Sequence, residues 1–341
     1  MGGANGQAGV AAPSGGGASA AAGAGPPPAT AAAKPASGAP VRLAASQNVA
    51  SNAPIWLTPQ ANLFAQNGLN ADLQSINATN GIKELVAGHI DAYIGGSPEA
   101  ITARAAGSPV TIVAVFQNKY DMVMTVPKDV ASMAQLKGKT IGVITKPSVN
   151  GVATIAAMKK YGLQADKDYQ IIETGSGAPY QGLAAALDGH HIAAAALQPD
   201  FARKLAVSGD FHVLFDLAKQ PELITAGSTL AFQSSYVQQH PAEVQKALDS
   251  FLQGMRYFRD HKDQAQTLMR QTFKITDQVD LDDGYTRQVE LMAKDPTPRP
   301  ELYPDLIDAI GQISPDVKKL DLSSLLDPRF AQDAVKRGLA G

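Results

Sequence analysis

The stretch Leu85-Val86-Ala87-Gly88-His89-Ile90-Asp91-Ala92 is echoed by Leu187-Asp188-Gly189-His190-His191-Ile192-Ala193, which begins 102 residues further on. Each reads as the end of an amphipathic helix, a glycine stop and the entry of a buried strand. Each strand then runs into a proline-bearing loop, Gly95-Gly96-Ser97-Pro98 in the first case and Gln198-Pro199-Asp200 in the second, and on into another helix. Two lobes of related topology are therefore expected.

The segments around these stretches extend the pattern. Strands are expected at 41–44, 71–76, 90–94 and the continuous apolar run 110–116, then again at 140–144, 169–173 and 192–197. Between them lie helices opened by Pro54, by Thr79 or Asn80, by Glu99, by Gly151, by Gly182 and by Phe201. Strands that alternate with helices predict an α/β fold with largely parallel sheets. From Pro241 onward the periodicity is helical, with Val244, Leu248, Phe251, Leu252, Met255 and Phe258 on one face. Further helices are expected at 264–272, 282–293, 304–313 and 328–337.

Composition separates the first 40 residues from the rest of the 341. Of these 40, 35 are Ala, Gly, Pro, Ser or Thr, with no acid and no aromatic residue. Such a segment buries too little apolar surface to offset its ordering entropy, so a disordered tether is expected. It lacks the basic start and hydrophobic stretch of a signal peptide. The remainder offers no membrane span, since runs such as Ile192 to Leu197 fall far short of the ~18 apolar residues one needs.

Charge and residue types exclude several chemistries. Twenty-nine basic against 31 acidic residues give a formal net charge of −2, which argues against a nucleic-acid surface. The absence of cysteine rules out disulfides, thiolate zinc sites and thiol nucleophiles. No phosphate loop, no His-Glu-x-x-His and no Gly-x-Ser-x-Gly elbow is present. The six histidines fall in no ligand spacing, so no metal site and no cofactor are expected.

Small polar residues gather where strands end and helices begin: Ser51-Asn52, Thr79-Asn80, Gly96-Ser97, Ser148 to Asn150, Ser176-Gly177 and Gln198. Each could simply cap its own helix. Their recurrence in both lobes favours a shared cleft at the carboxyl edges of the sheets, where helix N-termini attract an anion.

The order Asn52-Ala53-Pro54-Ile55-Trp56, then Phe64-Ala65-Gln66-Asn67-Gly68-Leu69, resembles the opening of solute-binding proteins of the nitrate/sulfonate/taurine class. Similar to that class too are Leu85 to Ala92, Leu136-Lys137-Gly138-Lys139-Thr140-Ile141-Gly142-Val143, Gln198-Pro199, and Leu325-Leu326-Asp327-Pro328-Arg329-Phe330. The resemblance spans roughly residues 41 to 335 and extends to the pyrimidine-precursor synthases of thiamine formation, which share the fold. It implies a two-lobe periplasmic-binding-protein fold of type II with a helical C-terminal extension. Lobe 1 would hold 41–125 and 227–341 and lobe 2 residues 126–226. The crossings would fall near Thr125-Val126 and Ala226 to Ser228.

The resemblance further implies a non-enzymatic binding protein that feeds an ABC permease of the inner membrane. Its ligand would be a small organic anion of sulfonate or carboxylate type. It implies an exported, periplasmic or membrane-tethered monomer, with the tether holding the folded part off a membrane. Mapped onto this chain, the ligand-binding positions are Asn52, Trp56, Thr79, Asn80, Ser97, Ser148, Asn150 and Gln198. Lys119 and Tyr120, just after a buried strand, could reach an anionic group. Trp56, the one tryptophan, suits either a flat ligand or core packing. Many members carry an acid where this chain has Gln198, so a zwitterion such as taurine is the less suited ligand. The alternatives are a synthase, disfavoured because the eukaryotic enzymes carry a cysteine-rich motif, and the ectodomain of a signalling protein, which would need a membrane segment.

Overall fold

Residues 39–46, 52–175 and 177–340 are described by the structure, a computed structural model, without the side chains of Ala78 and Thr79. The expected tether through Gly38, together with Ser51 and Ser176, lies outside these residues.

The first part of the chain alternates strands and helices: β1 (Val41–Ser46), α1 (Ala53–Gln60), α2 (Leu63–Gln66), β2 (Ala71–Ile76), α3 (Ala78–Ala87), β3 (Ala92–Gly95), α4 (Ser97–Ala105) and β4 (Val110–Lys119). A second run follows: β5 (Val123–Pro127), β6 (Thr140–Val143), α5 (Val149–Lys160), β7 (Gln170–Glu173), α6 (Pro179–Asp188), β8 (Ala194–Leu197), α7 (Pro199–Ala206) and β9 (Phe211–Asp216). The remainder is β10 (Ile224–Gln233), α8 (Ser234–Gln239), α9 (Pro241–Asp260), α10 (Lys262–Phe273), α11 (Gln278–Leu291), α12 (Pro304–Gly311) and α13 (Arg329–Lys336).

The strands pair into two five-stranded sheets of matching design, β2-β1-β3-β10-β4 and β7-β6-β8-β5-β9. In the first, β10 runs antiparallel to both its neighbours, and β5 does the same in the second. All other pairings are parallel. The two echoed stretches lead into β3 and β8, the central strands of their respective sheets.

The chain passes from the first sheet to the second between Lys119 and Val123, and returns between Asp216 and Ile224. Thr125 and Val126 are paired within β5, and Ala226 to Ser228 lie within β10. Each crossing delivers the chain into the antiparallel strand of the sheet it enters. Pattern reading assigns no strand to 123–127, 211–216 or 224–233. Their partners lie 70 or more residues away for β5 and more than 100 away for β10, so no local periodicity marks them.

Both faces of each sheet are covered. On the first, β1, β3, β4 and β10 pack one face against α9 and α13, with Phe251 edge-on to Phe64 at 5.4 Å and near Phe116 at 6.0 Å. Full burial of each such side chain contributes about 2 kcal/mol. The opposite face packs against α3, α4 and α12. On the second sheet, α5 covers one face and α6 and α7 the other. Helix α5 is buried from Asn150 to Met158, because Val152 and Ile155 also pack into the core around α4 and α12. It is the helix shared by the two sheets. Helices α1, α10 and α11 close a further cluster around Phe258, Leu268 and Leu281. No helix among the described residues is long and apolar enough to cross a membrane.

Candidate functional site

A cavity of about 180 Å³ lies where the carboxyl ends of the two sheets meet. The first sheet contributes Ser46, Asn52, Asn77, Gly95, Gly96 and Glu99, together with Gln117, Lys119, Gly227 and Ser228. The second contributes Ile144, Ser148, Val149, Asn150, Pro179, Tyr180 and Gln198, and the crossing segment adds Tyr120, Asp121 and Met122. Parallel strands with helices between them force this placement, because every strand-to-helix loop opens at the carboxyl edge.

Six of the ten expected positions line the cavity: Asn52, Lys119, Tyr120, Ser148, Asn150 and Gln198. Asn52 precedes α1, and its Nδ2 donates to Ser46 O at 2.8 Å and to Ser46 Oγ at 2.9 Å. Asn150 is 1 % exposed; its Oδ1 accepts from the Ile144 amide at 2.9 Å and its Nδ2 donates to Ala196 O at 2.7 Å. It therefore rivets the end of β6 to β8. Ser148 caps α5, accepting from the Gly151 amide at 3.2 Å and donating to Thr145 O at 2.7 Å. Gly151 is required here, because a Cβ on it would stand 2.3 Å from Thr145 O and 2.4 Å from Lys146 O. Lys119 Nζ donates to Gln220 O at 3.3 Å, and Tyr120 is buried, which pushes its phenol pKa up. Gln198 is buried at the start of α7.

Three of the other four positions fall elsewhere. Trp56 packs on α1 against the cores beneath α9 and α10, the core-packing alternative of its two readings. Asn80 is exposed on α3 and does not line the cavity. Ser97 is fully buried and donates to Ala226 O, tying the start of α4 to β10. The side chain of Thr79 is not among those described.

Among the lining residues that escape sequence reading are Glu99, Gln117, Asp121 and Tyr180. Glu99 sits in the first turn of α4, where an acid reads as an ordinary partner of the helix dipole. Its Oε2 is sealed from solvent without a hydrogen-bond partner among the described residues, and burial pushes its pKa up to about 8. Asp121 is held by Arg287 and by Gln288 Nε2 at 2.8 Å, both from α11. Arg287 also grips Asp216 at 2.8 and 3.1 Å, so one guanidinium binds the chain at both crossings between sheets.

A wider cavity of about 840 Å³ adjoins the first through the shared Asp121 and Gln198. It runs between α7 and α11, where Arg203 pairs with Asp280 at 2.7 Å and Asp283 at 3.0 Å. Neither cavity is lined by a histidine. Among the described residues no cluster of His, Asp or Glu is arranged to hold a metal ion.

The fold matches that of known proteins. The chain is similar to the periplasmic aliphatic sulphonate-binding protein SsuA from Escherichia coli, with a TM-score of 0.69 and 18 % identity, over 85 % of this chain and 93 % of that one. The alkanesulfonate-binding protein SsuA from Xanthomonas axonopodis pv. citri, bound to MOPS, aligns with a TM-score of 0.63 and 18 % identity over 83 % and 93 % of the two chains. The desulfurization enzyme DSZB aligns too, at a TM-score of 0.59 and 16 % identity over 87 % and 99 %. These likenesses establish the fold as that of the periplasmic binding proteins. No curated protein matches the sequence. The NMT1/THI5-like family profile matches residues 50–265, and the chain belongs to that family.

Proposed function

We propose that this protein is the extracytoplasmic solute-binding component of an ABC importer, which captures a small organic anion of sulfonate or carboxylate type and delivers it to a membrane permease. The observation that carries this reading is the cavity's position and lining. It sits where the two sheets meet, beside the first crossing, and presents amides, hydroxyls, the Lys119 ammonium and the N-terminus of α5. Such groups satisfy an anion by hydrogen bonds and helix dipole. The crossings would act as the hinge, with 41–125 and 227–341 as one lobe and 126–226 as the other, adjusted to the sheet boundaries at 119–123 and 216–224.

The likeness to DSZB brings an enzymatic reading into view. A hydrolytic or transfer enzyme needs a nucleophile next to a base. In this cavity the Ser148 hydroxyl donates to a backbone carbonyl, Ser46 Oγ accepts from Asn52, and the chain contains no cysteine. The lining thus favours capture over turnover.

A thermal-shift panel of alkanesulfonates, carboxylates, nitrate, bicarbonate and pyrimidine precursors tests the reading. A ligand at a hundred times its Kd stabilises the native state by about 2.7 kcal/mol. A shift with a sulfonate or carboxylate supports the proposal. A shift confined to pyrimidine precursors, accompanied by their consumption, contradicts it.

A further inference from the structure

We propose that Glu99 meets the ligand as a neutral acid, donating a hydrogen bond to the bound anionic group, so that anion capture by this protein is linked to retention of a proton. The inference rests on the anion-binding reading above and assigns to one side chain the pH range in which that site works.

Two lining side chains, Glu99 and Tyr120, carry a polar atom shut off from solvent without a hydrogen-bond partner among the described residues, and Glu99 is the acid of the two. The side chain of Ser148 bonds within its own loop, that of Asn150 bonds to the Ile144 amide and to Ala196 O of β8, and Asn52 bonds to Ser46. Glu99 lines the same cavity, and its Oε2 is shut off from solvent with no hydrogen-bond partner among the described residues. Its place is fixed by Gly96. A Cβ at that position would stand 2.7 Å from Glu99 Oε2 and 2.2 Å from Val149 Cγ2, so the carboxyl lies against its own turn and the first residue of α5. It is thus aimed at the junction of the two sheets, where a ligand bound by both would lie.

The oxygens of a sulfonate or carboxylate only accept hydrogen bonds. An ionised Glu99 would repel them, whereas a protonated one supplies the donor they need. The surroundings favour the proton. The titratable groups sharing the cavity are Lys119, Tyr120 and Asp121 at the end of β4 and Tyr180 on α6, with Tyr93 of β3 alongside. Lys119 is directed to Gln220 O, and Asp121 is held by Arg287 and Gln288. The start of α5 brings Ser148 and Val149, both uncharged. Of the other elements packed on α4, α3 carries Lys83 and Glu84, the latter paired with His89. Helix α12 carries Asp305 and Asp308, the latter paired with Lys159. The turn at Pro315–Lys319 carries Asp316, Lys318 and Lys319, of which the first and last are paired. No ion pair joins any of these cations to Glu99 among the described residues. Burial is therefore the main influence on its carboxyl and pushes the pKa up to about 8, opposed by a hydrogen bond from its own backbone amide.

The test uses ethanesulfonate, which stays ionised at every pH used, and propionate, which is ionised throughout pH 6–10. Calorimetric titration of the full chain should give a Kd that is flat from pH 6 to 7 and weakens by about tenfold per unit above pH 8. Glu99→Gln, which stays neutral and keeps a donor, should bind with a Kd independent of pH. A flat wild-type profile, or the same fall in Glu99→Gln, overturns the proposal while leaving anion capture standing. Failure of both anions to bind at any pH contradicts the anion-binding reading itself, and the proposal with it.

A ligand-free measurement checks the proton directly. The unfolded carboxyl ionises near its ordinary value, and the folded one keeps its proton up to about pH 8. This group's contribution to stability is therefore full below the unfolded value and is lost as pH rises through the folded one. Glu99→Gln should melt higher than wild type at pH 9 and at the same temperature at pH 4.5. Equal melting at both pH values overturns the proposal without any ligand.

Discussion

The two sheets share one strand order and place the same local sequence at the same point. After β3 the chain reads Ser97-Pro98-Glu99, and after β8 it reads Gln198-Pro199-Asp200. In both, a proline opens the helix and an acid follows in its first turn. The outcomes differ. Glu99 lines the smaller cavity, and its Oε2 is sealed from solvent without a hydrogen-bond partner among the described residues. Asp200 lines the wide cavity between α7 and α11; burial raises its pKa, while Lys204 and the backbone amides of Phe201 and Asp200 itself pull it down. Equivalent topology therefore supplies two acids at the carboxyl edges, both raised in pKa by burial, and only Asp200 has a nearby lysine that opposes the shift.

A second contrast lies at the sheet edges. The C-terminal chain runs along β4, with the Ile112 amide bonded to Leu325 O and the Val115 amide to Pro296 O, each at 2.8 Å. The corresponding strand of the second sheet, β9, has no such cover among the described residues, and its Val213 is 43 % exposed. An uncovered strand edge is normally a site of unwanted pairing. Here the extension beyond β10 covers the edge of the first sheet, while it reaches the second through side chains such as Arg287, which grips Asp216.

The sharpest way to break this contrast is Phe251→Ala, which removes the ring seated between Phe64 and Phe116 under α9. A loss of about 4 kcal/mol is expected in chemical unfolding. A loss below about 1 kcal/mol would mean that the extension does not anchor the first sheet. Next come the paired asparagines at the strand ends. Asn150→Ala leaves the Ile144 amide and the Ala196 carbonyl without their partner inside the protein and should cost about 3 kcal/mol. Asn52→Ala removes the half-buried bonds to Ser46 and should cost about 1 kcal/mol. Equal costs would erase the distinction between a buried rivet and a cleft-side amide. The smallest effect is expected from Asp200→Asn. Melting curves at pH 5 and pH 9 should show a gain at the higher pH smaller than that of Glu99→Gln, and the reverse order would invert the assignment of the two acids.

Most of the fold was readable because seven strands and their helices carry local signals. The run 110–116 is continuously apolar, β2 alternates, and α9 shows its buried face at helical spacing. Strands β5, β9 and β10 were not readable. The sequence Ile224-Thr225-Ala226-Gly227-Ser228 has neither alternation nor bulk, and becomes a strand because β3 and β4 flank it. The site was legible where a loop follows a parallel strand, as at Asn52, Ser148 and Gln198. It was illegible where packing decides: Trp56 serves the core, Ser97 bonds to a crossing partner, and Glu99 looks like any first-turn acid until its surroundings are known.

The central claim is capture of an organic anion without chemistry. Titration calorimetry with ethanesulfonate and propionate at pH 7, followed by analysis of the recovered ligand, tests it most directly. The account predicts saturable one-to-one binding of at least one of them and quantitative return of that compound unchanged. Absence of binding to either, or conversion of a bound anion into product, would contradict it.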